Sequence, residues 1–155
     1  MNIEPTIRDL ITRTIHMSLA TVRDNKPWVC EVHFIYDDDL NIYFMSKVSR
    51  RHSQEIADNP YVSGTIVRQH DKGEFCSGAL YYEGQAHAVT DEARQHELRE
   101  LFGQRLGTPD SAMVDVGQPE GSQFYQITVS NYAVFGKFGD NPIGKYELKW
   151  KGSQK

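Results

Sequence analysis

The sequence predicts a mainly β protein with short helices, folded as a small antiparallel barrel. Three observations point there. Short apolar or alternating runs recur along the 155 residues and are separated by tight polar turns. Glycines interrupt the longest of these runs, as they do where a sheet curls. The main helical segments interrupt the strands rather than form a layer of their own.

In chain order, Ile3, Ile7, Leu10, Ile11 and Ile15 recur at helical spacing with Pro5 near the start, which predicts one short amphipathic helix. Residues 17–22 follow as a strand, and Asp24-Asn25-Lys26 turns the chain. Residues 27–36 read as one alternating strand. Trp28, Cys30, Val32, Phe34 and Tyr36 share one face; Val29, Glu31, His33 and Ile35 share the other. Asp37-Asp38-Asp39 leads into a third strand at 40–45, so the start is an antiparallel meander. A polar loop at 46–50 precedes a short helix at 51–58, stopped by Asn59-Pro60.

Residues 61–69 form the next strand, and residues 70–74 break it. A long strand at 75–89 carries Gly78 and Gly84, where bends or bulges are expected. The strongest helix begins at Thr90-Asp91, shows an apolar stripe of Ala93, Leu98, Leu101, Phe102 and Leu106, and ends at Gly107. The loop at 108–121 is too long for a connector and is expected to touch a partner or ligand. Strands at 122–130 and 131–135, a Gly-rich turn region at 136–144 and a last strand at 146–150 complete the chain, with a frayed tail from 152. Without repeat or linker, residues 1–155 read as one domain.

Composition narrows the function. With 39% hydrophobic and 25% charged residues the chain is an ordinary globular protein. A net charge of −4 argues against nucleic acid as the main partner, because that affinity comes from Lys and Arg on phosphates. No run approaches the roughly 20 apolar residues of a membrane helix, and the first ten residues lack a signal-peptide pattern. A cytoplasmic protein is expected. Cys30 and Cys76 fall in strands outside any CxxC pair and read as reduced, buried thiols. His16, His33, His52, His70, His87 and His96 are scattered, with no HExxH, so no metal site is expected. No GxSxG elbow supports a hydrolase. The aromatics Trp28, Phe34, Tyr36, Tyr43, Phe44, Tyr81 and Tyr82 read as barrel core, for there is no basic stripe to make them an RNA face.

The chemistry lies in residues 42–60. A helix start carries positive partial charge and favours acidic residues, yet Lys47, Arg50, Arg51 and His52 crowd this one while Glu55 and Asp58 sit toward its end. Each misplaced exposed charge costs about 0.3–1 kcal/mol. A bound anion reverses that cost, with backbone N–H groups, the Ser46 and Ser49 hydroxyls and two guanidinium groups converging on it. A phosphate monoester suits this better than a carboxylate. The alternative is a solvated charged loop in which Ser49 caps the helix. GxxxxGK[ST] and GxGxxG are both absent.

A strand, an acidic turn, a strand ending in Tyr43-Phe-Met-Ser46, then Ser49-Arg-Arg51, a short helix, Asn59-Pro60 and a strand resemble the FMN-binding split-barrel superfamily, whose best-known member is pyridoxamine 5'-phosphate oxidase. Gly84-Gln85-Ala86 matches the family's Gly-x-Ala. The resemblance covers about residues 15–90 and rests on order and spacing. It implies a six- to seven-stranded antiparallel split β-barrel working as a homodimer, with two FMN sites at the subunit interface. It further implies that Arg50 and Arg51 grip the FMN phosphate with Ser49 and Ser46. Phe44 and Met45 would line the cofactor, and Trp28, Val29, Cys30, Glu31 and Val32 would run along the isoalloxazine ring.

Two departures bound the activity. Ala79 stands where the oxidase carries a glutamine that contacts the cofactor. Phe135-Gly-Lys-Phe-Gly139 and the stretch to Trp150 lack the Arg-Leu-His-Asp-Arg type segment that holds the oxidase substrate. Vitamin B6 oxidation is therefore not expected. The resemblance implies an FMN oxidoreductase moving two electrons from NAD(P)H to a small acceptor, with no catalytic residue singled out. The alternatives are a non-enzymatic flavin-binding stress or sensor protein, and a haem- or deazaflavin-binding split barrel.

Overall fold

In the computed structural model, which describes residues 1–74 and 78–152, eight strands form one antiparallel sheet. The strands are β1 (His16–Arg23), β2 (Lys26–His33), β3 (Ile35–Tyr36), β4 (Ile42–Lys47), β5 (Tyr61–Val67), β6 (Ala79–Ala88), β7 (Ser122–Gly136) and β8 (Gly144–Lys149). Their order is β2-β1-β5-β6-β7-β4-β3, with β8 paired to β7. Three helices accompany them: α1 (Glu4–Thr12), α2 (Arg51–Asp58) and α3 (Glu92–Leu106). The expected β class and split-barrel architecture are present.

Asp24 and Asn25, at φ 51° and 60°, form the two-residue turn that joins β1 to β2, with Arg23 opposite Lys26. Positive φ at both central residues matches the twist of a hairpin, and Asp and Asn tolerate it. The strand expected at 27–36 is broken at Phe34. Up to His33 it pairs with β1; from Ile35 it pairs with β4. One run of chain thus begins at one end of the sheet order and finishes at the other, curling the sheet into a barrel while leaving the far edge of β2 without a strand partner among the described residues.

The barrel interior holds Met17, Leu19, Phe34, Ile42, Phe44, Ile66, Leu80, Tyr132 and Val134, with Ile3, Ile7, Leu10 and Ile11 of α1 closing it. Ile15, assigned from the sequence to the α1 stripe, lies beyond the helix and is exposed. A second cluster forms where Leu98 and Phe102 of α3 cover Ile35, Tyr43 and Phe124, with Met113 and Val116 of the long loop beneath them. That loop contains a 3-10 turn at Asp110–Met113 and is held by Arg99 Nη1, which donates to the Met113 carbonyl at 2.6 Å. Ala93, predicted for the α3 stripe, is exposed.

The strands predicted at 122–130 and 131–135 are one strand. Opposite Glu83 and Gly84 the register steps from Asn131 to Val129, so Ser130 is a bulge that the ladder passes over. The expected strand start at 75–77, with Cys76, and the tail at 153–155 lie outside the described residues. Among the described residues no helix is long and apolar enough to cross a membrane.

Candidate functional site

Helix α2 starts as the reversed charge pattern requires. Arg50 is its N-cap in extended conformation, no side chain caps it, and no acidic residue stands in its first turn. The alternative in which Ser49 caps the helix does not hold. The first backbone N–H groups of an α-helix have no intrahelical acceptor, so those of Arg51, His52 and Ser53 stay available. The Arg50 side chain has no ion pair among the described residues. Ser53 Oγ is buried without a hydrogen bond of good geometry, although the Tyr125 phenol lies close enough to interact.

Arg51 is placed more firmly. Its Nε donates to Glu55 Oε1 at 2.8 Å, one helical turn on, and its guanidinium stacks 4.3 Å above the Trp28 ring. Glu55 is 2% exposed and also accepts from the Thr21 hydroxyl at 2.5 Å. Those two hydrogen bonds, Thr21 first and Arg51 second, hold the Glu55 carboxyl below its ordinary range. The late acidic residue that looked misplaced in the helix thus orients Arg51 and ties α2 to β1. The terminal nitrogens of Arg51 carry no hydrogen bond among the described residues.

Beneath the helix start His52 bridges two strands. Its Nε2 lies 2.7 Å from Ser46 Oγ of β4, and its Nδ1 lies 3.4 Å from Cys30 Sγ of β2. His52 is 9% exposed; burial, aided by the Arg50 charge, lowers its pKa and favours the neutral ring. Burial, then Glu31 and Glu55, raises the Cys30 pKa, so the thiol stays protonated. Cys30 is free and half-buried, less covered than expected. A neutral ring with a thiol on one nitrogen and a hydroxyl on the other is a polar clasp between the two sides of the barrel's split.

A cavity of about 420 Å³ opens along that split, lined by Ile15, Glu31, Val32, His33, Met45, Ser46, His52, Phe102, Leu106 and Thr108. This is within the size range of ligand pockets. Its β2 wall is a sheet edge with no further strand among the described residues, so its outward backbone N–H and C=O groups face the cavity side without a ladder partner there. Burial, then the neighbouring His16, lowers the His33 pKa. A larger groove of about 1070 Å³, which includes Tyr61, Gly84, Gln85 and Trp150, contains none of the eleven residues expected to hold the cofactor.

Of the eleven residues singled out, four line the smaller cavity: Glu31, Val32, Met45 and Ser46. Cys30, Trp28 and Arg51 join them through the His52 and Glu55 contacts, and Ser49 and Arg50 stand at the helix start. Val29 is exposed on β2. Phe44 is buried and stacked on Tyr125 with centroids 4.9 Å apart, so it supports the site from the core. Ala79 is buried in β6 between Val67 and Phe135. Sequence reasoning missed His52 as a central group. Its spacing of four from Ile56 placed both on the buried helix face. Leu106 and Thr108 were also missed, although the long loop that begins there signalled a contact.

The sequence model of the pyridoxamine 5'-phosphate oxidase family matches residues 3–133. A comparison with curated proteins finds no match. Among solved structures, General Stress Protein 26 from Bacillus anthracis superposes with a TM-score of 0.67 at 18% identity, covering 96% of this chain and 99% of that one. HutZ, the heme storage protein from Vibrio cholerae, gives 0.70 at 18% identity over 88% and 96% of the two chains. A NimC/NimA family protein from Clostridium acetobutylicum gives 0.66 at 12% identity over 93% and 91%. At such identities the likeness shows the fold alone. The family match spans most of the sequence, and the chain belongs to the pyridoxamine 5'-phosphate oxidase family.

Proposed function

We propose that this chain binds FMN in the cleft beside α2 and acts as an oxidoreductase that reduces a small acceptor with NAD(P)H. One observation carries the reading: an uncapped helix start, with no acidic side chain in its first turn, presents an Arg50 that has no ion pair among the described residues, beside a ligand-sized cavity. The residues fit a phosphate monoester. Ser46, Ser49, Arg50, the terminal nitrogens of Arg51 and the first N–H groups of α2 are all donors, and the one buried carboxylate of the helix, Glu55, is held by Thr21 and Arg51. The open edge of β2, from Trp28 to Val32, offers backbone groups to the flavin ring, and Met45 meets it from β4.

Bound flavin supplies the two-electron chemistry. This chain's part is to anchor the phosphate, align the ring and keep His52 neutral beside it. No side chain stands out as a proton donor, so a non-enzymatic flavin carrier built on the same site remains the second reading. In both, a second copy of the chain covers the open side of the cavity.

A haem reading draws on His33 and His52 in the cavity and on the likeness to a heme storage protein. Yet both ring nitrogens of His52, the buried histidine of the cavity, are engaged by Ser46 and Cys30. The test is the absorption spectrum of the purified protein, with mass identification of the acid-released molecule. Flavin bands and FMN are expected, bleached anaerobically by NAD(P)H. A Soret band overturns the flavin reading; flavin that NAD(P)H leaves oxidised overturns the enzymatic one.

A further inference from the structure

We infer that His16 and His33 form a two-histidine site for a divalent transition metal of the copper type, at the rim of the cleft. The inference stands apart from the flavin reading and does not need it. The β1–β2 register sets His16 directly opposite His33. The ladder is pinned on both sides of the pair: Met17 faces Val32, and the Phe34 N–H donates to the Ile15 carbonyl at 3.0 Å. Two side chains directly opposite on an antiparallel pair project from the same face. Here the Nε2 atoms lie 2.7 Å apart, with ring centroids at 4.3 Å and an interplanar angle of 46°.

Two imidazole nitrogens at that distance share one proton. Both rings are exposed, and a hydrogen bond between exposed groups contributes little, because water replaces it readily. A divalent cation in place of the proton takes both lone pairs at once. With metal–nitrogen bonds of about 2.0–2.1 Å, two ligands on one ion stand about 2.9–3.4 Å apart, so the two rings turn slightly away from each other to admit it. The intrinsic affinity order for divalent metals favours Cu²⁺ over Zn²⁺ at such a site.

Among the described residues no group of three or more His, Cys, Asp or Glu is arranged to hold a metal. The site therefore has two protein ligands, and its other positions go to water or to an incoming small molecule. Since His33 and Ile15 also line the cavity, those positions lie where a cleft ligand can reach them. The rigid strand pair removes much of the ordering cost of binding. Among the described residues no other two histidines are paired: His52 meets Cys30 and Ser46 inside the buried clasp, His70 contacts the Arg68 carbonyl, His96 pairs with Glu100, and His87 lines the larger groove.

The test is Cu²⁺ titration of the full-length protein in a non-chelating buffer, followed by calorimetry and electron paramagnetic resonance. One equivalent of Cu²⁺ with two coordinated imidazole nitrogens is expected. His16→Ala and His33→Ala should each weaken binding by more than about ten-fold, while His87→Ala leaves it unchanged. Circular dichroism of each variant reports folding. Unchanged Cu²⁺ affinity in folded His16→Ala or His33→Ala, or a spectrum with a single nitrogen ligand, overturns the site.

Discussion

His52 shows how one side chain can join a helix, two strands and a cavity. Its ring is held by Ser46 and by Cys30, and burial favours the neutral form. Protonation therefore works against the fold. The folded pKa is lowered, so the stability linked to His52 is present above the unfolded value of about 6.5 and is lost as pH falls from there toward the folded value. Glu55 acts lower on the scale: its depressed pKa adds stability that is lost only below the ordinary carboxylate range, about 4.3. Urea unfolding at pH 7.5 and pH 5.5 separates the two. Wild type should lose more stability across that interval than His52→Gln, whose amide cannot titrate. Equal losses would show that His52 is not a strained neutral group.

Residue types were legible at this scale, and contacts were not. The basic cluster at 47–52 reads as an anion site because charge and helix polarity conflict in the sequence itself. That Glu55 resolves part of the conflict by holding Arg51 depends on Thr21, 34 positions away, and no local pattern reports it.

At the scale of elements, α2 was legible to the residue because Asn59-Pro60 ends it, and α3 because Asp91 caps it through the Arg94 N–H at 2.7 Å and Gly107 closes it at φ 65°. The break between β2 and β3 was not. Phe34 and Ile35 are both buried, in different clusters, and alternation alone reads straight through them. The reverse happened in β7, where polar Ser130 and Asn131 looked like an end. A bulge keeps the ladder intact there, and Gly84 opposite accommodates it: a Cβ on Gly84 would overlap the Thr128 carbonyl oxygen.

Gly64 of β5 shows the same constraint where β5 crosses β1. A Cβ there would overlap the Ser18 carbonyl oxygen and crowd the Tyr82 hydroxyl, which donates to that carbonyl at 2.8 Å. Gly64→Ala must spread β1 from β5 or expel Tyr82. Overpacking of this kind costs about 1–3 kcal/mol, a fall of several degrees in Tm for a chain of this length. Thermal unfolding checks it; an unchanged Tm would mean that the two strands are not in this contact.

For the whole molecule, the split in the barrel is where the proposed site lies. β2 and β3 belong to one run of chain but pair at opposite ends of the sheet order, and the cavity opens where that run leaves β1. An open sheet edge beside an open cavity is a surface that a second copy can complete. Light scattering at micromolar concentration should give about twice 17.7 kDa. A monomer that binds flavin tightly would contradict an interface site. The β class and barrel curvature were legible from strand spacing and strand glycines. The cavity was not, because it is made by residues from both ends of the β2–β4 region and from α3.

The central claim is that the start of α2 binds a phosphate, and the most direct measurement compares FMN with riboflavin, which lacks one. Fluorescence titration of flavin-free protein should show FMN binding at least about ten-fold more tightly than riboflavin, a difference of about 1.4 kcal/mol. In the Arg50→Ala, Arg51→Ala double variant, folded by circular dichroism, that preference should disappear. Equal affinity for the two flavins in the wild type, or a preference for FMN that survives in the double variant, would contradict the account.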